Sequence, residues 1–160
     1  MSAAAFPPAD FRSSKHLRKR ARFLLEHPDL EIPTDIEFEI GVSPGKVFKT
    51  HKLFLALVSA VFQTLFYGSI ELKEERVEIP DITPEAFQNL LHYAFTDDIS
   101  GITMHNVMDT LYCAKKYMID KLSRACRDYV QSHLTADCAC DIFQQAQAIG
   151  ESELATLALA

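Results

Sequence analysis

No stretch of this 160-residue chain strings together the roughly 18 apolar residues of a membrane-crossing helix, because charges interrupt each apolar run first. The opening MSAAAFPPADF has no apolar centre of the kind a secretory leader carries. Glycine is scarce, five in all, and none cluster into a loop that could wrap a phosphate. G-x-S-x-G, G-x-G-x-x-G and G-x-x-x-x-G-K-[ST] are all missing, which removes the nucleophile-elbow hydrolases, dinucleotide enzymes and P-loop NTPases from consideration. His16, His27, His51, His92, His105 and His133 never pair at metal-ligand spacing, and H-E-x-x-H is absent. Cysteine is limited to Cys113, Cys126, Cys138 and Cys140, all on helix-like segments of the last third. A disulfide framework would spread them over loops, so reduced thiols in a cytoplasmic or nuclear protein are expected.

Acid is missing from residues 11–25, which carry Arg12, Lys15, Arg18, Lys19, Arg20 and Arg22. The net charge of −6 therefore splits into +6 there and −12 elsewhere. An acidic body cannot offer nucleic acid a broad basic footprint. The basic run reads as a solvated helix face, with a nuclear-import or anion-binding patch as the alternative. What is present, 48% hydrophobic and 24% charged residues, suffices for one ordinary core.

Periodicity orders the rest. Residues 1–13, with four alanines and two prolines, read as a disordered tail. Leu17, Ala21, Leu24 and Leu25 recur at helical spacing after a cap at Ser13 or Ser14, and Pro28 stops the helix. Ile36, Phe38 and Ile40 alternate with glutamates, the pattern of a half-buried strand. Ser43 to Lys46 is turn chemistry, and Val47 to Lys49 returns as a hairpin. His51 to Tyr67 reads as two short, largely buried helices joined near Ser59, the second closed by Gly68. Arg76 to Ile79 is a further strand. Thr83 and Pro84 open a helix through Phe95, and a connector from Thr96 to Thr103 leads to helices through Val107–Ala114 and Leu122–Val130. Two more helices follow, from Thr135 to Ile149 and from Glu151 onward. About three strands against seven or eight helices make the class α+β.

Candidate chemistry is thin. Cys138 and Cys140 stand about 200° apart on a helix, too far round to share a metal easily, so core or half-buried thiols are expected. Glu71, Glu74, Glu75, Glu78, Asp81 and Glu85 have no nucleophile or histidine beside them. They read as a solvated acidic face, or else as an acidic docking surface. His51 reads as a histidine bonded to backbone at a helix start. No catalytic residue, cofactor or metal site is expected, and the chain is not expected to be an enzyme.

Several motifs in fixed order resemble the BTB/POZ family. They are Asp35-Ile36, His51-Lys52, Leu55 through Phe66, Val77-Glu78-Ile79-Pro80-Asp81 before Pro84-Glu85-Ala86-Phe87, and the segment LYCAKKYMIDKL. The likeness runs from Leu17 to Val130, and FYGSI with LYCAKKY is most similar to members that continue into a BACK domain, some with a PHR domain. HLTADCACDIFQQAQAIGESEL resembles the start of BACK, the segment called the 3-box. The resemblance implies a three-stranded sheet flanked by helices, a BTB domain over 14–132 and a partial BACK region over 133–160. It also implies a homodimer whose two-fold interface includes Leu17, Leu24, Leu25 and a buried pair of Asp35 and Lys52. Members with BACK are commonly substrate adaptors of cullin-3 ubiquitin ligases, with the substrate held by a later region. By resemblance the cullin would meet Phe66, Ile70, Glu71, Leu72, Phe95, Asp97 and Asp98. The family's hydrophobic–x–glutamate signature falls on Ile70, Glu71 and Leu72, with leucine where the glutamate belongs. An oligomerisation scaffold, or a transcription-related module without ligase recruitment, is the alternative. Neither nucleic acid nor membrane is an expected partner.

Overall fold

The alternation in IEFEI places Ile36, Phe38 and Ile40 on one face of β1 (Ile36–Ile40), and all three are buried. In the computed structural model, which describes residues 17–28, 32–69 and 75–159, β1 is the middle strand of a three-stranded sheet ordered β2-β1-β3. The hairpin partner β2 (Lys46–Thr50) runs antiparallel with Phe38 opposite Phe48, one residue longer at each end than the alternation indicates. Strand β3 (Arg76–Ile79) pairs on the other side in parallel, with Phe38 opposite Val77. A parallel pair needs a crossover. Here it contains α2 (Lys52–Val58) and α3 (Ala60–Tyr67). The tail read over 1–13 and the cap at Ser13 or Ser14 lie outside the described residues.

Phe38 anchors the core. Its ring meets Phe62, Phe66 and Phe87 at centroid separations of 5.9, 6.4 and 5.0 Å. Each such burial contributes about 1.5–3 kcal/mol. Ser59 joins α2 to α3 as expected: its hydroxyl accepts the Phe62 N–H at 3.1 Å and donates to the Tyr117 carbonyl at 2.6 Å. Gly68 does close α3, but its backbone is extended (φ −77°) rather than left-handed. Glycine is needed because a Cβ there would lie 2.3 Å from the Thr64 carbonyl oxygen.

The remaining helices pack largely in neighbouring pairs. Helix α1 (Leu17–Glu26) rests on α4 (Pro84–Thr96), which starts at Thr83 and Pro84 as read. Asp97, at a left-handed φ of 54°, terminates α4. Helices α5 (Val107–Lys116) and α6 (Asp120–His133) pack together, as do α7 (Ala136–Ala148) and α8 (Ser152–Ala158). Ile142, Ala146, Leu154 and Ala155 carry the last pair into the common core. Among the described residues there are three strands and eight helices, the α+β class that the pattern indicates.

Candidate protein-interaction surface

Helix α2 is apolar nearly all the way round, and only part of that surface is used internally. Leu55 is fully buried, while Leu53 and Leu57, one turn apart on the other side, are 57% and 72% exposed. The helix is therefore less buried than the reading of 51–67 as a covered pair. A helix greasy on all faces needs cover on all of them, and here one face has none among the described residues. That face borders an open groove of about 800 Å³ formed with Leu17 of α1 and with Ala94, Phe95 and Asp97 of α4 and its cap. Phe54 and Phe95 stack in its floor at 4.1 Å. His51 stands beside them, 6.3 Å from Phe54 and 6.2 Å from Phe95, with both ring nitrogens buried and meeting no hydrogen-bond partner among the described residues. The expected backbone bond to His51 is therefore not made; its ring packs as an aromatic.

At one end of the groove lies an acidic corner. Asp98 makes an Asx turn, its Oδ1 accepting the Ser100 N–H at 2.9 Å, and this bond first, then Arg22 nearby, holds its carboxyl below the usual range. Arg22 of α1 donates to Asp98 at 2.6 Å and Arg18 to Asp97 at 3.0 Å. The basic face of α1 is thus not simply solvated, since part of it is spent on this corner. The connector behind the corner is fixed by polar groups that periodicity could not reveal. Asn89 donates to the Thr110 hydroxyl, Thr110 to the Asn106 carbonyl and Asn106 to the Gly101 carbonyl, at 3.0, 2.8 and 3.0 Å.

Leu17 (67% exposed) lines the groove, Leu24 is half-buried on α1, and Leu25 packs against the core. Within a single protomer Asp35 and Lys52 make no side-chain ion pair. Asp35 is exposed, its carboxylate accepts the backbone N–H of Lys52 at 2.8 Å, and the Lys52 ammonium lies over the Phe66 ring instead. The aspartate caps the first turn of α2, where a negative group is favoured. Phe66 is not available to a partner either: it is fully buried between Phe38 and Phe62, and the exposed ring at that end of α3 is Tyr67. Phe95 is 5% exposed and reaches the groove only through its lining face. Ile70, Glu71 and Leu72 lie outside the described residues.

Elsewhere the titratable groups are structural. Asp81 is not merely solvated: Lys116 donates to it at 2.6 and 2.7 Å and Tyr112 at 2.7 Å, lowering its pKa and raising that of Tyr112. Cys113 and Cys126 are buried, and burial pushes the Cys126 thiol up to about 12. Cys140 is exposed rather than core, and Cys138 is half-buried with its thiol inside the turn that starts α7, accepting the Thr135 N–H at 3.4 Å. Among the described residues no three His, Cys, Asp or Glu side chains converge to hold a metal, and no helix is long and apolar enough to cross a membrane. Glu151, at the head of α8, is the most enclosed charge among the described residues. Arg127 grips it with two bonds of 2.8 and 2.9 Å and Lys115 adds a third at 2.8 Å, which hold its pKa down at about 2.

The BTB/POZ domain model matches residues 25–134. Over 140 residues, 86% of its length, the chain is 36% identical to BTB/POZ domain-containing protein 6-B of Danio rerio and 35% identical to BTB/POZ domain-containing protein 6 of Homo sapiens. It is also 34% identical over 125 residues to human BTB/POZ domain-containing protein 3, covering 78% of this chain. The chain spans only about a quarter of the length of these relatives, 28%, 25% and 24% respectively.

Proposed function

This chain belongs to the BTB/POZ family, and from that premise we propose that it is the homodimerising, partner-recruiting module of a cullin-3 ubiquitin-ligase adaptor. Domains of this family mediate protein–protein interaction and oligomerisation and are not, as a family, enzymes. The observation that carries the dimer is the exposed apolar face of α2, where Leu57 lines the groove beside Leu17 and Leu53 stands exposed one turn away. A second copy bringing the same leucines would remove them from water, at about 25 cal/mol for each Å² buried.

The cullin part of the reading rests on the resemblance of Ile70–Leu72 and of Phe95, Asp97 and Asp98 to the family's docking positions. The helix pair α7–α8, which follows the family match, fits the opening of a BACK region. In this reading the substrate is held by another part of the adaptor, and the protein works in the cytoplasm, with import through the basic run as its route to the nucleus. Leu72 in place of the signature glutamate favours one competing reading, an oligomerisation scaffold that recruits no ligase.

Titration of the purified cullin-3 N-terminal region separates the two. Submicromolar binding that Ile70→Arg abolishes supports the adaptor, and no binding at tens of micromolar leaves the scaffold.

A further inference from the structure

A second cleft, of about 380 Å³, lies along α4 and shares no lining residue with the apolar groove. Glu85, Asn89 and His92 follow one another at spacings of four and three on α4, which sets them on one helix face. Asn89 is the sheltered part of the lining, only 8% exposed, yet half of its amide is unused. The Thr110 hydroxyl has a single proton, and it goes to the Asn106 carbonyl at 2.8 Å. Thr110 therefore has to accept from Asn89 Nδ2, at 3.0 Å, and this fixes the amide with its Oδ1 turned to the pocket. That oxygen accepts no hydrogen bond among the described residues. Gly101 keeps the approach to it open, since a Cβ there would stand 2.4 Å from Oδ1. Acceptors this sheltered are normally satisfied, so Oδ1 marks a place for a donor.

The charges around it say what kind of donor. Arg22, the one fixed positive charge of the lining, is committed to Asp98 at 2.6 Å. Glu85, exposed one helical turn before Asn89, has no partner among the described residues. Acceptors are in excess, and one of them is charged. We infer that this pocket receives an arginine side chain of a partner protein, its guanidinium donating to Asn89 Oδ1 while Glu85 balances its charge. A planar fork with donors on every nitrogen can meet two acceptors one turn apart, whereas a lysine ammonium is a compact, strongly hydrated point. The volume is at the small end for ligand sites and suits one long side chain. The −12 carried outside residues 11–25 favours a basic partner. The inference rests on neither the dimer nor the cullin.

The probes are the capped tripeptide acetyl-Gly-Arg-Gly-amide and its lysine and citrulline counterparts, titrated into the full chain while backbone and side-chain amide NMR signals are followed. The arginine peptide should move the Asn89 side-chain amide and the Gly101 backbone amide with a millimolar Kd, and the other two should bind at least about fivefold more weakly. Glu85→Gln, at an exposed position, should leave the fold intact and weaken the arginine peptide about threefold. Gly101→Ala, whose Cβ would crowd Oδ1, should abolish the shifts. No movement at Asn89 or Gly101 with about 20 mM arginine peptide overturns the inference, because water alone then fills the pocket. Equal binding of the three peptides, or shifts that both variants leave unchanged, overturns it too, since the contact is then a general surface effect. If Gly101→Ala does not fold, Glu85→Gln and the ranking of the peptides decide the matter.

Discussion

Two regions of the molecule are held by arginine against carboxylate, and they differ in everything except the chemistry. At the α1–α4 corner each aspartate receives one arginine in the open. At the joint between α5, α6 and α8, Glu151 is 7% exposed and receives Arg127 through two parallel bonds and Lys115 through a third. Lys115 also donates to the Ile149 carbonyl at 2.8 Å, so the turn between α7 and α8 is tied by backbone as well as by charge. A two-pronged grip in a sheltered site fixes geometry, and it turns costly when one side is removed. A single exposed pair does neither. The joint holds the terminal helices in one orientation on the BTB domain, while the corner holds α1 loosely.

The sharpest way to break this comparison is to remove the carboxylate from the joint. Glu151→Ala leaves two cations converging on an uncompensated site. About 3 kcal/mol of stability should be lost, less than for a wholly buried pair because Lys115 and Arg127 are each 34% exposed and can turn outward. Urea denaturation should show a lower midpoint at constant slope. A loss below about 1 kcal/mol would put the joint in the same class as the corner.

Acid should produce a somewhat smaller effect through the same residue. The carboxyl of Glu151 titrates near 2 in the folded chain and near 4.5 when free, chiefly because Arg127 bonds the ionised form. A carboxylate with a depressed folded pKa contributes stability in full above its unfolded value and loses it as pH falls through the folded one. Stability should therefore decline between about pH 4.5 and 2 by about 2 kcal/mol from this group. Asp81, lowered by Lys116, adds to the acid loss in the same direction. Glu151→Gln should flatten this slope; if it leaves the slope unchanged, the joint is not where the acid sensitivity resides.

On the open side, Leu57→Asp should leave the monomer folded, since Leu57 is 72% exposed, while weakening self-association at least tenfold by sedimentation. Leu55→Asp, at the buried position two residues earlier, should instead unfold the chain. If both variants dimerise like the parent, the uncovered face belongs to some other contact.

The contrast between the two regions also marks what the sequence could and could not reveal. Strands and helices were legible because IEFEI alternates strictly, and because Thr83-Pro84 and Ser59 are capping residues placed ahead of apolar runs. Burial on α2 was not legible. KLFLALV is apolar throughout, so nothing in its pattern separates the inward Leu55 from the outward Leu53 and Leu57. Phe66 was misread for the same reason, its neighbour Tyr67 being the exposed ring. Both arginine contacts escaped as well. Arg22 and Asp98 are 76 residues apart, and no local period links positions so distant. Only the fold, by setting α1 across the end of α4, brings them within reach.

The smallest expected effect is the most informative about the corner. A double-mutant cycle on Arg22→Gln and Asp98→Asn should give a coupling of about 0.5–1 kcal/mol, and the corresponding cycle on Arg18 and Asp97 less, about 0.2–0.5 kcal/mol. The order follows from shelter: the Asp98 side chain is 22% exposed against 58% for Asp97. Asparagine at 98 keeps a side-chain oxygen for the Ser100 N–H, so the cycle isolates the charge rather than the turn. Raising ionic strength toward 1 M, where the screening length shrinks to about 3 Å, should bring both couplings close to zero. A coupling that survives high salt or exceeds about 2 kcal/mol would put the corner in the same class as the joint.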